Sequence, residues 1–581
     1  MSEQKRQEEY SFYDLFVPLT IKKAIFIIFL IGFIVYFNML FNNFVWDDKT
    51  YILFNPDVVT FNLLGLIRNN IFNAGGQYRP VPGIYFSVLF AFFKYNTFFY
   101  HFLQLIIHVI NASMLFILFT KFFKKNISLV LSLIFLIHPI QVESVSYISA
   151  ADNTLFFLFG FSALWIIFQK AISLKKIGII TLLLLLSLLT KESGVLFIFI
   201  ILLYIFLFNR KLLLHFFISV CIAFGLYLFI RFVIGGVFFS TLPLIPIARL
   251  SFIDRLINIP TILFYYIKTF FFPFHLAIDQ QWVIHTITFQ TFYLPLLLDV
   301  LFLFLIAIMG IFTYRNKSNL FKPYLFFTLW FLGGMSVYMQ FFPLDGTVAD
   351  RWFYFPIVGL LGLIGIGLQL IASHYKYIKI WGYSVLLVIL VLLSLRTIMR
   401  NVNWYDPITL YTHDIQLSDN FDIESNLGIE YSTVRDYKNA IKHSAKSVEL
   451  FPYEVNLYNL ANTYEQIGDI SHAKKYYSEA LKYPNYLPIN HRHIQYTYIR
   501  LAYMMYLTKD FKNAASISKL GLEDYPTSPY LWIELAASEY KLGDQLNALQ
   551  SAKKAKALLP TTAMVYLYTE IADKKSLSLK L

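Results

Sequence analysis

An all-α chain is predicted: a polytopic bundle of about eleven membrane-spanning helices followed by a solenoid of helical repeats. Three observations predict it. The chain has 581 residues that are 58% hydrophobic and only 14% charged, with a mean hydropathy of +0.59, which no soluble domain needs. Apolar runs long enough to cross a hydrocarbon layer recur along the first two thirds. From about residue 421 hydrophobicity falls, and small residues and prolines recur at a nearly constant interval.

Taken in order, residues 1–23 are polar and mixed in charge, and the first apolar run lacks a small-residue cleavage site, so it reads as a retained anchor with a cytoplasmic N-terminus. Spans are expected near 24–41, 98–120, 127–140, 154–168, 177–190, 193–208, 212–231, 293–314, 323–342, 352–372 and 378–397. Residues 82–93 are too short to cross and are expected as an interfacial or re-entrant helix. The connections 121–126, 169–176, 209–211, 315–322 and 374–379 carry excess Lys and Arg. All fall on the N-terminal side if 252–272, with Asp254, Arg255, Pro260 and Lys268, lies on the outer face as an amphipathic helix. The same parity places everything after about residue 398 outside the cytoplasm. Trp46, Trp282, Trp352 and Trp404 are expected in the interface belt.

The net charge of +13 accords with basic cytoplasmic loops, and a nucleic-acid partner is excluded on that ground. Cys221 is the one cysteine, so neither a disulfide nor a Cys-based metal site is expected.

In the C-terminal part, Gly428, Ala461, Ala502 and Ala536 form one series, Ala440, Ala473, Ala514 and Ala548 a second, and Pro452, Pro484, Pro526 and Pro560 a third. Intervals of 33 and 34 residues predominate, the tetratricopeptide period, with a longer middle interval where "YPNYLPINHRH" inserts a loop. Such a solenoid binds peptide or protein on its concave face, or caps the membrane part structurally. The expected division is therefore 1–23 cytoplasmic segment, 24–398 membrane domain, 399–420 linker and 421–581 repeats.

On the outer face the ionisable groups gather in four stretches: Asp47, Asp48 and Arg79 in the first loop, Glu143 and Asp152 in the second, Lys191 and Glu192 in the third, and Arg351 before the final pair of spans. Charge at membrane depth is costly unless it pairs or lines a wet cavity, so this clustering marks a site. Solvated loop residues are the plainer explanation, and they account poorly for Lys191-Glu192 between two apolar runs.

The stretches "FVWDDKTYILFNPDV", "YRPVPGIYFSVLF", "YHFLQLIIHVIN", "HPIQVESVSYISAADN", "LTKESGV" and "VADRWFYFP" occur in an order that resembles the transmembrane and tetratricopeptide-repeat O-mannosyltransferases and their prokaryotic relatives. The resemblance implies a GT-C fold catalytic domain over 24–398 and a polyprenyl-phosphate-linked sugar donor. It also implies inversion at the sugar carbon and a carboxylate of the first outer loop as base. One departure stands out: the family has Arg before the Asp of the second loop, whereas this chain has Ala151-Asp152, so a phosphate-binding role is not carried over there.

Transfer to a hydroxyl needs a base for its proton and a cation or metal for the leaving phosphate. Two adjacent carboxylates repel, which raises one pKa, and on extended backbone they point to opposite sides; Asp48 is preferred over Asp47 as base. Arg79 and Arg351 are the phosphate ligands expected from guanidinium geometry, with Lys191 third. Glu143, Asp152, Glu192 and His108 are supporting residues. His101 and His108 share one helix face, where a metal site competes with ordinary buried histidines. No cofactor is assigned, and a divalent metal stays open.

The partners expected are the lipid-linked donor, a protein or glycan acceptor held through the repeats, and membrane lipid; the location is a bacterial inner membrane. A non-enzymatic membrane scaffold for an envelope complex is the competing reading. A transporter is disfavoured because its charged groups would lie near the midplane.

Overall fold

The computed structural model describes residues 19–68, 76–169, 172–238, 244–316, 319–374, 378–483, 491–575 and 577. Most of the expected cytoplasmic segment 1–23, parts of the basic connections (170–171, 317–318, 375–377) and most of the inserted loop (484–490) lie outside them. The chain divides into two compact units, Met1–Ser418 and Asp419–Leu581. No β-strand occurs among the described residues; one isolated antiparallel bridge joins Gln280 to Val348.

Every expected span contains a helix. In chain order these are α1 (Ile21–Tyr36), α2 (Pro80–Phe93), α3 (Thr97–Phe119), α4 (Lys125–Ile137), α5 (Ala151–Ile167), α6 (Leu174–Thr190), α7 (Val195–Phe208) and α8 (Leu213–Phe229). There follow α9 (Phe252–Phe271), α10 (Leu294–Arg315), α11 (Phe321–Ser336), α12 (Pro356–His374) and α13 (Ile378–Asn403). Local sequence starts several of them. The side chains of Thr20, Asn96, Ser173 and Ser251 accept from backbone N–H groups of the first turns of α1, α3, α6 and α9, donors that lipid could not satisfy.

By length and composition six of these helices can cross a membrane, or seven if α4 and Pro139–Ser146, bent by 49°, form one span. The chain is an integral membrane protein. The other four expected spans, α6, α7, α11 and α12, are shorter or less uniformly apolar. Two elements set apart in the sequence stay apart here: α2 has 14 residues, and α9, interrupted by Pro260, is not among the six.

The bundle interior is aromatic. Phe135, Tyr354, Phe157, Phe197, Trp330 and Phe355 form one run of ring contacts across α4, α5, α7, α11 and the start of α12. Helices α11 and α12 approach closely because Gly359 offers no Cβ; one built there would lie 2.3 Å from the backbone N of Phe331. Apolar side chains such as Phe304 on α10 and Leu392 on α13 stay exposed, as a lipid-facing surface requires.

Residues 399–420 hold the end of α13 and a further helix, α14 (Pro407–Asp414). The guanidinium of Arg400 makes two bonds, 2.7 and 2.9 Å, to the carboxylate of Asp414, and both side chains are buried. Asp414 also accepts from the backbone N of Ile278 at 2.8 Å, which ties the 272–292 connection to α14.

The second unit consists of helix pairs: α15 (Phe421–Thr433) with α16 (Tyr437–Leu450), α17 (Glu454–Gln466) with α18 (Ile470–Ala480), α19 (His491–Leu507) with α20 (Phe511–Asp524), and α21 (Pro529–Lys541) with α22 (Gln545–Leu558), closed by α23 (Thr562–Ala572). The small residues of the first two series are buried where paired helices meet; a Cβ on Gly428 would lie 2.2 Å from Ser444 Oγ. Each turn between paired helices repeats one device. Arg435, Gly468, Lys509 and Gly543 take left-handed backbone, and each is followed by Asp. Asp436, Asp469 and Asp544 then cap the next helix.

The Arg400–Asp414 pair generates a prediction. D414A leaves a buried guanidinium without its main partner and should destabilise the detergent-solubilised protein by about 3–5 kcal/mol, whereas R400M/D414L should recover most of that loss. Denaturant unfolding of the three proteins checks it.

Candidate active site

Between the end of α1 and α2 the chain runs through the adjacent carboxylates, and their oxygens go to different places. Asp48 is buried. Its Oδ2 accepts from the backbone N of Val45 at 3.0 Å, and its Oδ1 accepts from Ser149 N at 2.7 Å and Ser149 Oγ at 2.5 Å. These bonds pin the first loop to the second. Asp47 turns the other way, lines a cavity of about 370 Å³, and accepts from the Tyr147 hydroxyl at 3.0 Å. The carboxylate facing open space is thus Asp47 and not Asp48, the one preferred from the sequence, because Asp48 is consumed in closing its own loop.

The remaining cavity wall joins stretches far apart in sequence. Arg79 donates through Nε to Glu192 at 3.0 Å and through a terminal nitrogen to Asp152 at 2.9 Å. Lys191 donates to Asn153 Oδ1 at 2.6 Å and lies 3.3 Å from Asp152. Arg351 is held from behind by Glu143, which takes its backbone N at 2.9 Å as well as its guanidinium, and its other side lies 3.9 Å from Asp345. Asp47, Arg79, Asp152, Lys191, Glu192 and Arg351 all line the cavity, whereas Glu143 supports it from outside.

His108 is not part of it. Its ring nitrogens contact the Tyr354 hydroxyl and the Leu136 carbonyl, both at 2.9 Å, inside the bundle. His101 contacts the Asn42 carbonyl at 3.2 Å. The structure places His108, expected as a supporting residue, within the bundle packing and away from the cavity, and both histidines on that helix face are buried. Among the described residues no three His, Cys, Asp or Glu side chains converge as a metal site.

The electrostatics follow from charge held in a small volume. Burial, opposed by the Tyr147 hydrogen bond and by Arg351 and reinforced by Asp345, pushes the Asp47 carboxyl up to about 6. Burial outweighs three hydrogen bonds at Asp48 and raises it to about 7. Lys191 is pulled down to about 8, first by burial, with Asp152 opposing and Arg79 and Arg351 reinforcing. Arg351 and Arg79 lie above the guanidinium range, because their carboxylate partners outweigh the burial that lowers them. Asp345 is held low, against burial, chiefly by Arg351.

Several wall residues carried no mark in the sequence. Tyr147 stood inside a stretch already quoted and Asp345 three residues before another, and what identifies them is their contact with Asp47 and Arg351. Arg231 is fully buried just beyond α8, bonded to the Tyr227 hydroxyl at 2.8 Å, to the Gly76 carbonyl and, at 3.4 Å, to Glu192. Its signal was present: a charge at the end of an apolar run, as at Lys191. Two tryptophans expected in the interface belt, Trp352 and Trp404, are instead buried, each with its ring stacked on a tyrosine, Tyr338 and Tyr147 respectively.

Chemically, the cavity offers one carboxylate able to accept a proton near neutrality beside three cations, Arg79, Lys191 and Arg351, able to hold a phosphate, with Arg231 buried behind them.

No family model matches the chain. It is 27% identical over 447 residues to protein O-mannosyl-transferase F38B6.6 of Caenorhabditis elegans, covering 71% of this chain and 61% of that protein. It is 23% identical over 581 residues to protein O-mannosyl-transferase TMTC3 of Homo sapiens and 22% over 591 residues to that of Mus musculus, covering in each case 90% of this chain and 62% of the relative. The chain thus spans about six tenths of the length of these curated relatives. The likeness first carried by six short stretches extends over most of the sequence, in which the chain is similar to the protein O-mannosyl-transferases.

Proposed function

We propose that the chain transfers a sugar, mannose by the names of its relatives, from a polyprenyl-phosphate carrier to a hydroxyl of a protein acceptor. The observation that carries this reading is the placement of Asp47 in one cavity with Arg79, Lys191, Arg231 and Arg351. Asp47 takes the proton of the acceptor hydroxyl as its oxygen bonds to the sugar's anomeric carbon, and the bond from that carbon to the phosphate oxygen breaks. The electron pair leaves with the phosphate, which Arg351, Arg79 and Lys191 stabilise as its charge grows. Attack opposite the leaving group inverts the anomeric centre.

Arg351 suits the role because Glu143 fixes its backbone and one side of its guanidinium, while its contact to Asp345, at 3.9 Å, is loose enough to exchange for a phosphate oxygen. Arg231 fixes Glu192 and, through the Gly76 carbonyl, the strand of chain that carries Arg79. Residues 24–398 form the catalytic domain in this reading, and the repeats of 421–581 recruit the acceptor. The N-terminus faces the cytoplasm of a bacterial inner membrane, and cavity and repeats lie outside. The relatives' names favour transfer over the scaffold.

Two predictions test the reading on the full-length protein, supplied with polyprenyl-phosphate mannose and a Ser/Thr-containing acceptor. D47N should elute normally in detergent yet lose about 10²- to 10⁴-fold in kcat, the range for a lost general base. D48N should instead lower the unfolding temperature, because the bonds that close the loop weaken. Wild-type turnover by D47N excludes Asp47 as base.

The second concerns pH. Asp47, raised to about 6, must be ionised, so activity falls as pH drops through about 6. Lys191, lowered to about 8, must be charged, so activity falls as pH rises through about 8. The profile of kcat/KM should be a bell between these limbs, belonging to the cluster as a whole. A flat profile from pH ~5 to ~9 contradicts the assignment.

A further inference from the structure

Tyr147, the hydrogen-bond donor to Asp47, is the middle ring of a stack of three. On one side lies Trp46, centroids 5.3 Å apart and planes at 22°; on the other lies Trp404, at 5.7 Å and 28°. The three rings come from the first loop, the second loop and the end of the last membrane helix. Trp404 is fully buried, yet its indole N–H has no hydrogen-bond partner among the described residues. A buried tryptophan ordinarily finds one, so the ring's place is set by its faces. Those faces meet Tyr147 and the guanidinium of Arg400, 5.6 Å from the ring and anchored on Asp414.

The backbone beside Trp404 is tied to the same two loops. Asn43 N donates to the Tyr405 carbonyl at 2.9 Å, Asn42 Nδ2 to the Asn401 carbonyl at 3.1 Å, and Ser146 Oγ to Asn401 Oδ1 at 2.6 Å. Trp46, at the far end of the stack, holds a left-handed φ of 51°, a conformation that a bulky residue keeps only when its surroundings impose it.

We infer that Trp404 is a positioning residue for the proposed base: by stacking on Tyr147 it holds that phenol with its hydroxyl on Asp47. Nothing in Trp404 touches Asp47 or the reacting atoms. The inference rests on the reading of Asp47 as base.

The groups facing Asp47 are Tyr147, Arg351, Asp345, Tyr51 and its neighbour Asp48. Of these, Tyr147 favours the ionised carboxylate by donating to it. Loosening Tyr147 therefore raises the pH at which Asp47 ionises and moves the acid limb of kcat/KM upward.

The test is the acid limb in full-length wild type, Y147F, W404F, W404L and W404L/Y147F, with D47N assayed alongside. Y147F should move the limb up by about one pH unit, the worth of one hydrogen bond to a charged group. W404L should move it in the same direction, and W404F, which keeps a smaller ring, by less. In the Y147F background W404L should add nothing, since the route through the hydroxyl is already gone. A W404L limb that coincides with wild type, or one that shifts equally with and without Tyr147, overturns the inference. Should W404L not fold, W404F decides, and an unmoved limb there overturns it likewise. If D47N is dead while the Trp404 limbs stay put, only the positioning role falls; if D47N is active, the base reading falls and takes this inference with it.

Discussion

Arg79 stands at the start of a short apolar helix, and its guanidinium is tolerable there only because Asp152, in the first turn of α5, and Glu192, between α6 and α7, neutralise it. Each of those carboxylates in turn meets a second cation, Lys191 at 3.3 Å and Arg231 at 3.4 Å. The need to pair charge next to a lipid-facing bundle thus stitches four stretches into one wall. An ion pair of this kind is weak evidence of stability, since desolvation costs about what attraction returns. Its use lies in geometry. The cations are held in place in advance, and in the proposed reaction a phosphate would exchange for a carboxylate without a large change of net charge.

The adjacent carboxylates show how one backbone step separates two tasks. The backbone here is not the extended one expected from the sequence: Asp47 sits in a turn and Asp48 is helical (φ −55°, ψ −36°), and it is this turn that sends one side chain into the protein and the other into the cavity. Asp48 closes the loop onto Ser149, and that closure places Asp47 within reach of Tyr147. The left-handed Trp46 immediately before them belongs to the same arrangement, with Tyr147 stacked against it and Arg351 5.6 Å from its ring. Backbone strain and burial concentrate at this turn, as at sites where geometry is imposed for chemistry.

The C-terminal unit obeys a simpler rule. Each helix pair needs small residues at the crossing and a tight turn ahead of the second helix. The turn carries left-handed Gly at 468 and 543 but Arg435 and Lys509 at the equivalent places. The two non-glycine copies show that the following Asp and the packing of the pair, more than glycine's freedom, define the turn.

Much of this was legible in the residues. Apolar runs located every spanning helix, since hydrocarbon demands length and hydrophobicity that nothing else in a chain mimics. The repeat interval located the paired helices, and the charges near the span ends named six of the residues that line the cavity. What stayed hidden depended on direction. Sequence could say that Asp47 and Asp48 differ but not which one faces the cavity, because that follows from where Ser149 sits, about a hundred positions later. It could place two histidines on one face of α3 but not reveal that backbone carbonyls of Asn42 and Leu136 occupy them. It read Trp352 and Trp404 as interface residues because composition reports amphipathic character and not neighbours. Class, spans and the inventory of charges were determined by the sequence alone, because hydrophobicity and spacing are local properties; the orientation of Asp47, the backing of Arg351 by Glu143 and the three-ring stack were decided by the tertiary structure, because each requires groups from separate loops to meet.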